Sequence, residues 1–201
     1  GVDMSKWAFD RENRPSKSTV DLLFVGGEFR RKGGEFLLKW ARESKSQDWR
    51  LHIVTKEKID TSDPRIKIYN HLMPNEPELL NLYRDADIFV LPTLGDCYSI
   101  ATIEAMAAGL PTIVFLSGGI GDIIKDNQTG FLITPRDSDM LQARIDQLIG
   151  DESLRARLGK AARIDAENRY DAVKNIQQTL AIIRQHLAKM DVSSSSKGTL
   201  Q

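Results

Sequence analysis

Short apolar runs and amphipathic segments alternate through the first two thirds of this chain, and that alternation limits its possible folds more than any other feature. The runs are VDLLFVGG (20–27), WRLHIVTKE (49–57), RIKIYNHL (65–72), DIFVLPT (87–93), PTIVFLSGG (111–119) and TGFLITP (129–135). Stretches that stay apolar at successive positions fit strands buried on both faces. Between them, residues 32–44, 75–86, 99–109 and 119–127 read as helices. Phe36, Leu37, Trp40 and Ala41 recur at helical spacing, and Gly109 closes the third helix. Strand, helix, strand in repetition requires parallel pairing through right-handed crossovers. The expected fold class is therefore α/β, a doubly wound parallel (Rossmann-like) sheet. Ligands of such sheets sit beyond the C-terminal strand ends, which here are residues 25–33, 93–100 and 116–122.

After Pro135 the pattern becomes helical only. Leu141, Ile145 and Leu148 share one face, and Leu154 and Leu158 another. Val173, Ile176, Leu180, Ile183 and Leu187 then form a narrow apolar seam at steps of three and four. Packing on the chain's own domain or on a neighbour is favoured over a dimeric coiled coil. Residues 1–19, polar around Pro15, read as a linker, 20–190 as the folded domain and 191–201 as a disordered tail. The opening Gly-Val-Asp reads as the interior of a longer chain. Equal numbers of basic and acidic residues, 28 each, argue against a nucleic-acid partner. No apolar run approaches the roughly 20 residues of a transmembrane helix. A single cysteine, Cys97, fits a reducing compartment, so a cytoplasmic location is expected.

The motifs divide into weak and informative ones. His52, His71 and Cys97 lack metal-ligand spacing and read as structural. The DAD of 85–87 straddles a helix end and a strand start, so it reads as coincidence rather than as a metal motif. SGGIGDII (117–124) has Ile124 where a dinucleotide fingerprint needs its third glycine. FVGGEFRRKGG (24–34) puts Gly26 and Gly27 at a strand end and Lys32 just before a helix. That is either a tight turn with solvated cations or a place where backbone amides and a lysine meet phosphate.

GDCYSIATIEAMAAG (95–109) is the most informative stretch. Ser99 is a good N-cap, which leaves Asp96 in the preceding loop and Glu104 on the second helical turn. The free amides of the helix start lie between the two acids, at the positive end of the dipole. A diphosphate fits there, and the acids would accept hydrogen bonds from hydroxyls on either side of it. A sugar nucleotide has that layout.

GDCYSIATIEAMAAGLPTIV resembles the signature of retaining glycosyltransferases of family 4, which have the GT-B fold. LLFVGGEFRRKGG, DIFVLPT, GGIGDIIKDNQTGFLITPRD and ENRY follow the family's order, and the opening GVD is similar to its interdomain linker. The resemblance covers roughly residues 1–185. It implies the C-terminal, donor-binding half of a GT-B enzyme, with extra C-terminal helices. It also implies a nucleotide-sugar donor as partner, an acceptor domain on a missing N-terminal half, and no metal or other cofactor. Any membrane association would come from that missing half. Position by position, it implies Asp96 and Glu104 as the catalytic pair, Asp96 on hydroxyls of the transferred sugar and Glu104 on the donor ribose. Gly26, Gly27, Arg31 and Lys32 would line the phosphates. The amides of Tyr98, Ser99 and Ile100 would hold the sugar or diphosphate. Three positions depart from the pattern. Asp96 stands for a glutamate, Ser99 for a frequent glycine, and Gly27 for an arginine that Arg31 or Arg30 would replace. Alone, this half is expected to bind donor weakly and transfer nothing. The alternative reading is a non-catalytic sugar-nucleotide-binding or interaction module on the same fold.

Overall fold

The computed structural model describes residues 1–7, 9, 11, 14 and 17–195, with side chains through residue 187. Six strands form one all-parallel sheet: β1 (Val20–Val25), β2 (Trp49–Val54), β3 (Ile66–Tyr69), β4 (Ile88–Leu91), β5 (Thr112–Phe115) and β6 (Gly130–Ile133). Their order across the sheet is β3-β2-β1-β4-β5-β6. The doubly wound fold expected from the alternation is present. Every residue of β4 and β5 is buried, as their unbroken apolar runs require. Edge strand β3 alternates instead, with only partial burial.

The helices are α1 (Gly34–Glu43), α2 (Pro77–Asp85), α3 (Ile100–Ala107), α4 (Ser138–Gly150), α5 (Glu152–Arg169) and α6 (Ala172–Ser195). The centre of α3 is wholly apolar except for Glu104, and Ile103, Ala105, Met106 and Ala107 are fully buried. Small residues let α5 come very close to the end of α3. A Cβ on Gly159 would lie 2.3 Å from the carbonyl oxygen of Gly109, whose own φ is +71°. Leu141, Ile145, Leu148 and Leu158 are buried on the faces their spacing predicts, and Leu154 is half-buried.

Several local expectations need correction. Residues 119–127 do not form an α-helix but a single 3-10 turn over Gly118–Asp122. Gly118 has φ +54°, and a Cβ there would lie 2.0 Å from the carbonyl oxygen of Asp96. Glycine at this position answers a close backbone approach and not a helical register. The segment read as a linker is packed on the fold. Met4–Trp7 form a 3-10 turn, Val2, Met4 and Trp7 are buried, and Val2 bridges to Asp171. Helix α6 continues through Ser195, past the expected start of a tail at 191, and residues 196–201 lie outside the described ones. Its apolar seam is not covered by the domain: Val173, Ile176, Leu180, Ile183 and Leu187 are all exposed.

Candidate functional site

The strand order reverses between β1 and β4, so the loops leaving these two strands diverge and open a crevice. Gly26 and Gly27 leave β1 here, and the segment 93–99 leaves β4. The two loops are tied together by backbone. Leu94 N–H donates to Arg31 O at 3.0 Å, and Arg31 Nη1 donates to Gly95 O at 2.6 Å. Gly33, with φ +79°, passes so near Pro92 that a Cβ would lie 1.8 Å from its carbonyl oxygen. Only glycine fits that crossing.

Within this frame Lys32 and Asp96 form an ion pair, Nζ to Oδ2 2.5 Å, with side chains 16% and 13% exposed. Two residues singled out separately in the sequence are thus direct partners. Lys32 is held in place because its stem packs on Gly26, where a Cβ would lie 2.8 Å from the Lys32 Cβ. Arg31 is used differently. Its guanidinium forks onto both carboxylate oxygens of Glu28 at 2.7 and 2.9 Å. The Glu28 hydrogen bond raises the Arg31 pKa, and the reciprocal bond lowers that of Glu28. Arg30 pairs with Glu35 at 3.2 Å on the surface. Glu28 drew no attention in the sequence, where an acid in a polar loop carries no signal.

Helix α3 begins as its cap residue predicts. Ser99 Oγ accepts from Thr102 N–H at 3.3 Å and from Thr102 Oγ1 at 2.8 Å. Among the described residues, the amides of Tyr98, Ser99 and Ile100 donate to no protein acceptor. Three unsatisfied donors at a helix start, beside a lysine, form an anion-binding arrangement. The side chains of Tyr98 and Ile100 stand about half exposed at its mouth. The Gly118–Asp122 turn closes the far wall, with Gly119 N–H donating to Cys97 O at 3.1 Å.

Glu104 does not touch Asp96. It faces α2, where Tyr83 Oη donates to its Oε2 at 3.0 Å. Burial raises the Glu104 pKa, and the Tyr83 hydrogen bond only partly offsets that rise. Tyr83 is itself fully buried, edge-on to Trp7 at 5.0 Å. No local signal exposed it, because its partner is 21 residues away.

The other candidates lie elsewhere. His52 bridges Tyr69 Oη (3.0 Å) and Asp21 Oδ1 (3.2 Å) inside the sheet. Asp87 of the DAD accepts from Asp21 N–H and pairs with Arg14 and Lys17. A cavity of about 790 Å³ also lies at this opposite edge, between Phe9, Arg11, Arg14 and Lys17 on one side and α5 on the other. It is rich in cations, but the donors of three of its arginines go to helix ends. Arg11 donates to Tyr83 O, Ala86 O and Ala108 O, Arg155 to Leu148 O and Ile149 O, and Arg163 to Ala107 O. These cations close the C-termini of α2, α3 and α4.

Comparisons with known proteins agree with this fold. The chain is 28% identical over 186 residues to a glycogen synthase of Mycobacterium tuberculosis, covering 85% of this chain and 44% of that enzyme. It thus spans under half the length of that relative. Sucrose-phosphate synthase from Thermosynechococcus elongatus superimposes with a TM-score of 0.78 at 23% identity, over 94% of this chain and 52% of that one. The Anabaena protein HepE, solved in complex with UDP-glucose, gives 0.76 at 17% identity, over 92% and 56%. Residues 5–165 match the family model of glycosyl transferases group 1. The chain belongs to the glycosyl transferases of group 1.

Proposed function

We propose that this chain is the donor-binding half of a retaining glycosyltransferase that takes its sugar from a nucleoside-diphosphate sugar. The observation that carries the reading is the Lys32–Asp96 pair set beside the unsatisfied amides of Tyr98, Ser99 and Ile100. In this reading the diphosphate takes the amides and draws Lys32 away from Asp96. Asp96 is then released to accept hydrogen bonds from hydroxyls of the transferred sugar. Glu104, backed by Tyr83, accepts from the ribose. Bond cleavage at the anomeric carbon leaves negative charge on the departing diphosphate. Fixed amides and Lys32 stabilise that charge most where it is greatest, in the transition state. The chain's own residues supply this stabilisation without a metal or other cofactor. HepE, which shares the fold, is a precedent for a sugar nucleotide as the ligand.

The acceptor site is assigned to a second domain facing the crevice. The same reading gives the exposed seam of α6 an occupant, the flank of that acceptor domain, because five apolar side chains at helical spacing otherwise face water.

Calorimetric titration with UDP, GDP, ADP and their glucose conjugates tests the assignment. Glu104→Ala is expected to weaken every ribose-containing ligand about tenfold, the loss of a hydrogen bond to a charged acceptor. Asp96→Asn is expected to weaken only the sugar-bearing ligands. If both variants bind all six ligands like the parent, the site lies elsewhere. Joined to an acceptor domain, a chain that binds donor yet neither transfers nor hydrolyses it would establish the non-catalytic module instead.

A further inference from the structure

We infer that Lys56 is the second cation of the phosphate site, paired with Lys32 across the glycine pair that ends β1. The inference rests on the donor-site reading above and names a residue that its chemistry also needs. Gly26 and Gly27 each carry a lysine stem. Lys32 packs on Gly26, and the Cγ and Cδ of Lys56 lie 3.9 Å from the position a Cβ on Gly27 would occupy. The backbone of Lys56 is fixed to the same residue. Lys56 N–H donates to Gly27 O at 3.2 Å, and Thr55 Oγ1 donates to that oxygen at 3.1 Å. Gly26 N–H in turn donates to Val54 O at 2.9 Å. The ends of β1 and β2 therefore hold Lys56 at a set height beside the glycine pair, with its stem in van der Waals reach of the place a side chain at 27 would take.

Counter-ions separate Lys56 from its neighbours. Arg30 is paired with Glu35, Arg31 with Glu28 and Lys32 with Asp96. Among the described residues, Lys56 has no carboxylate within ion-pair distance, and its side chain is exposed. An anion gains attraction from Lys56 without breaking an existing pair, whereas it must compete with Asp96 for Lys32. Two lysines over two adjacent glycines match a ligand with two linked phosphates better than one with a single phosphate.

The test titrates the full 201-residue chain with inorganic pyrophosphate, UDP and uridine, using Lys56→Ala, Lys56→Arg and Lys32→Ala. Lys56→Ala is expected to weaken pyrophosphate and UDP about fivefold, the scale of a solvent-exposed charge interaction. Uridine binding and the thermal midpoint stay unchanged, and Lys56→Arg retains most of the affinity. Loss with Lys32→Ala but none with Lys56→Ala overturns this inference and leaves the donor site standing. Equal weakening of uridine by Lys56→Ala also overturns it, because the effect is then on loop structure and not on charge. If neither lysine affects any phosphate ligand, the donor site fails with it.

Discussion

Glu104 is a carboxylate kept where a carboxylate is costly. Its pKa is raised above the ordinary 4.5 by burial. Between that ordinary value and the raised one, the folded chain holds a proton that the unfolded chain has released. Stability therefore falls as pH rises through this window, and the penalty is complete above the raised value. Glu104→Gln, still able to accept from Tyr83, is expected to raise the thermal midpoint at pH 7 but not at pH 4, while weakening ribose-containing ligands. Tyr83→Phe removes the donor and should cost about 1–2 kcal/mol at pH 7. Asp21 behaves oppositely. Burial opposes its ionisation, but the His52 and Lys17 hydrogen bonds and the Arg50 charge outweigh burial and hold it well below the usual range. Its stabilisation is present above pH 3.8 and is lost as pH falls toward the folded-state value. Asp21→Asn should cost about 2 kcal/mol at pH 7 and flatten the acid limb of a urea midpoint–pH profile. Asp96, Lys32 and Glu104 stood out in the sequence because polar residues in small-residue or apolar surroundings are conspicuous. Tyr83, Glu28 and Lys56 did not, since each acquires its role only through a partner supplied by folding.

At the scale of elements, the crevice depends on two loops that cross closely at Gly33, where there is no room for a side chain. Gly33 combines a positive φ with a place where an added Cβ would lie 1.8 Å from the Pro92 carbonyl oxygen. Gly33→Ala is accordingly expected to cost about 2 kcal/mol or more and to weaken pyrophosphate binding, since Lys32 is the adjacent residue. Gly27→Ala is a control for stability, because the nearest atoms to the added methyl are those of the Lys56 stem, in ordinary contact at 3.9 Å. Its unfolding midpoint should match the parent. The strands and α3 were legible because period and capping are local properties. The Gly118–Asp122 turn was misread as a helix because SGGIGDII carries apolar residues near helical spacing. The reason for its glycines, contact with Asp96 and Cys97, lies about twenty residues upstream.

For the molecule as a whole, the candidate site gathers at the C-terminal end of the sheet, and the other end reads as scaffold. The cations at the N-terminal strand edge look like a ligand site by charge alone, yet the hydrogen bonds of Arg11 and Arg155 go to helix-end carbonyls. The seam on α6 is the clearest sign of unfinished packing. Ile176→Glu with Leu180→Glu should leave the thermal midpoint of this chain unchanged, since both side chains already face water. The same pair should reduce pull-down of a separately expressed acceptor half. A native midpoint shift of several degrees would mean that the seam packs on this domain after all. The Lys32–Asp96 pair has a further consequence. The pair neutralises Lys32 there, so a simple anion that takes Lys32 would strand an uncompensated carboxylate beside itself. A ligand that brings acid oxygens and hydroxyls together replaces both halves of the pair in one exchange. On the proposed donor-site reading, the pair would filter for bifunctional ligands and discount the phosphate that surrounds it in any cell.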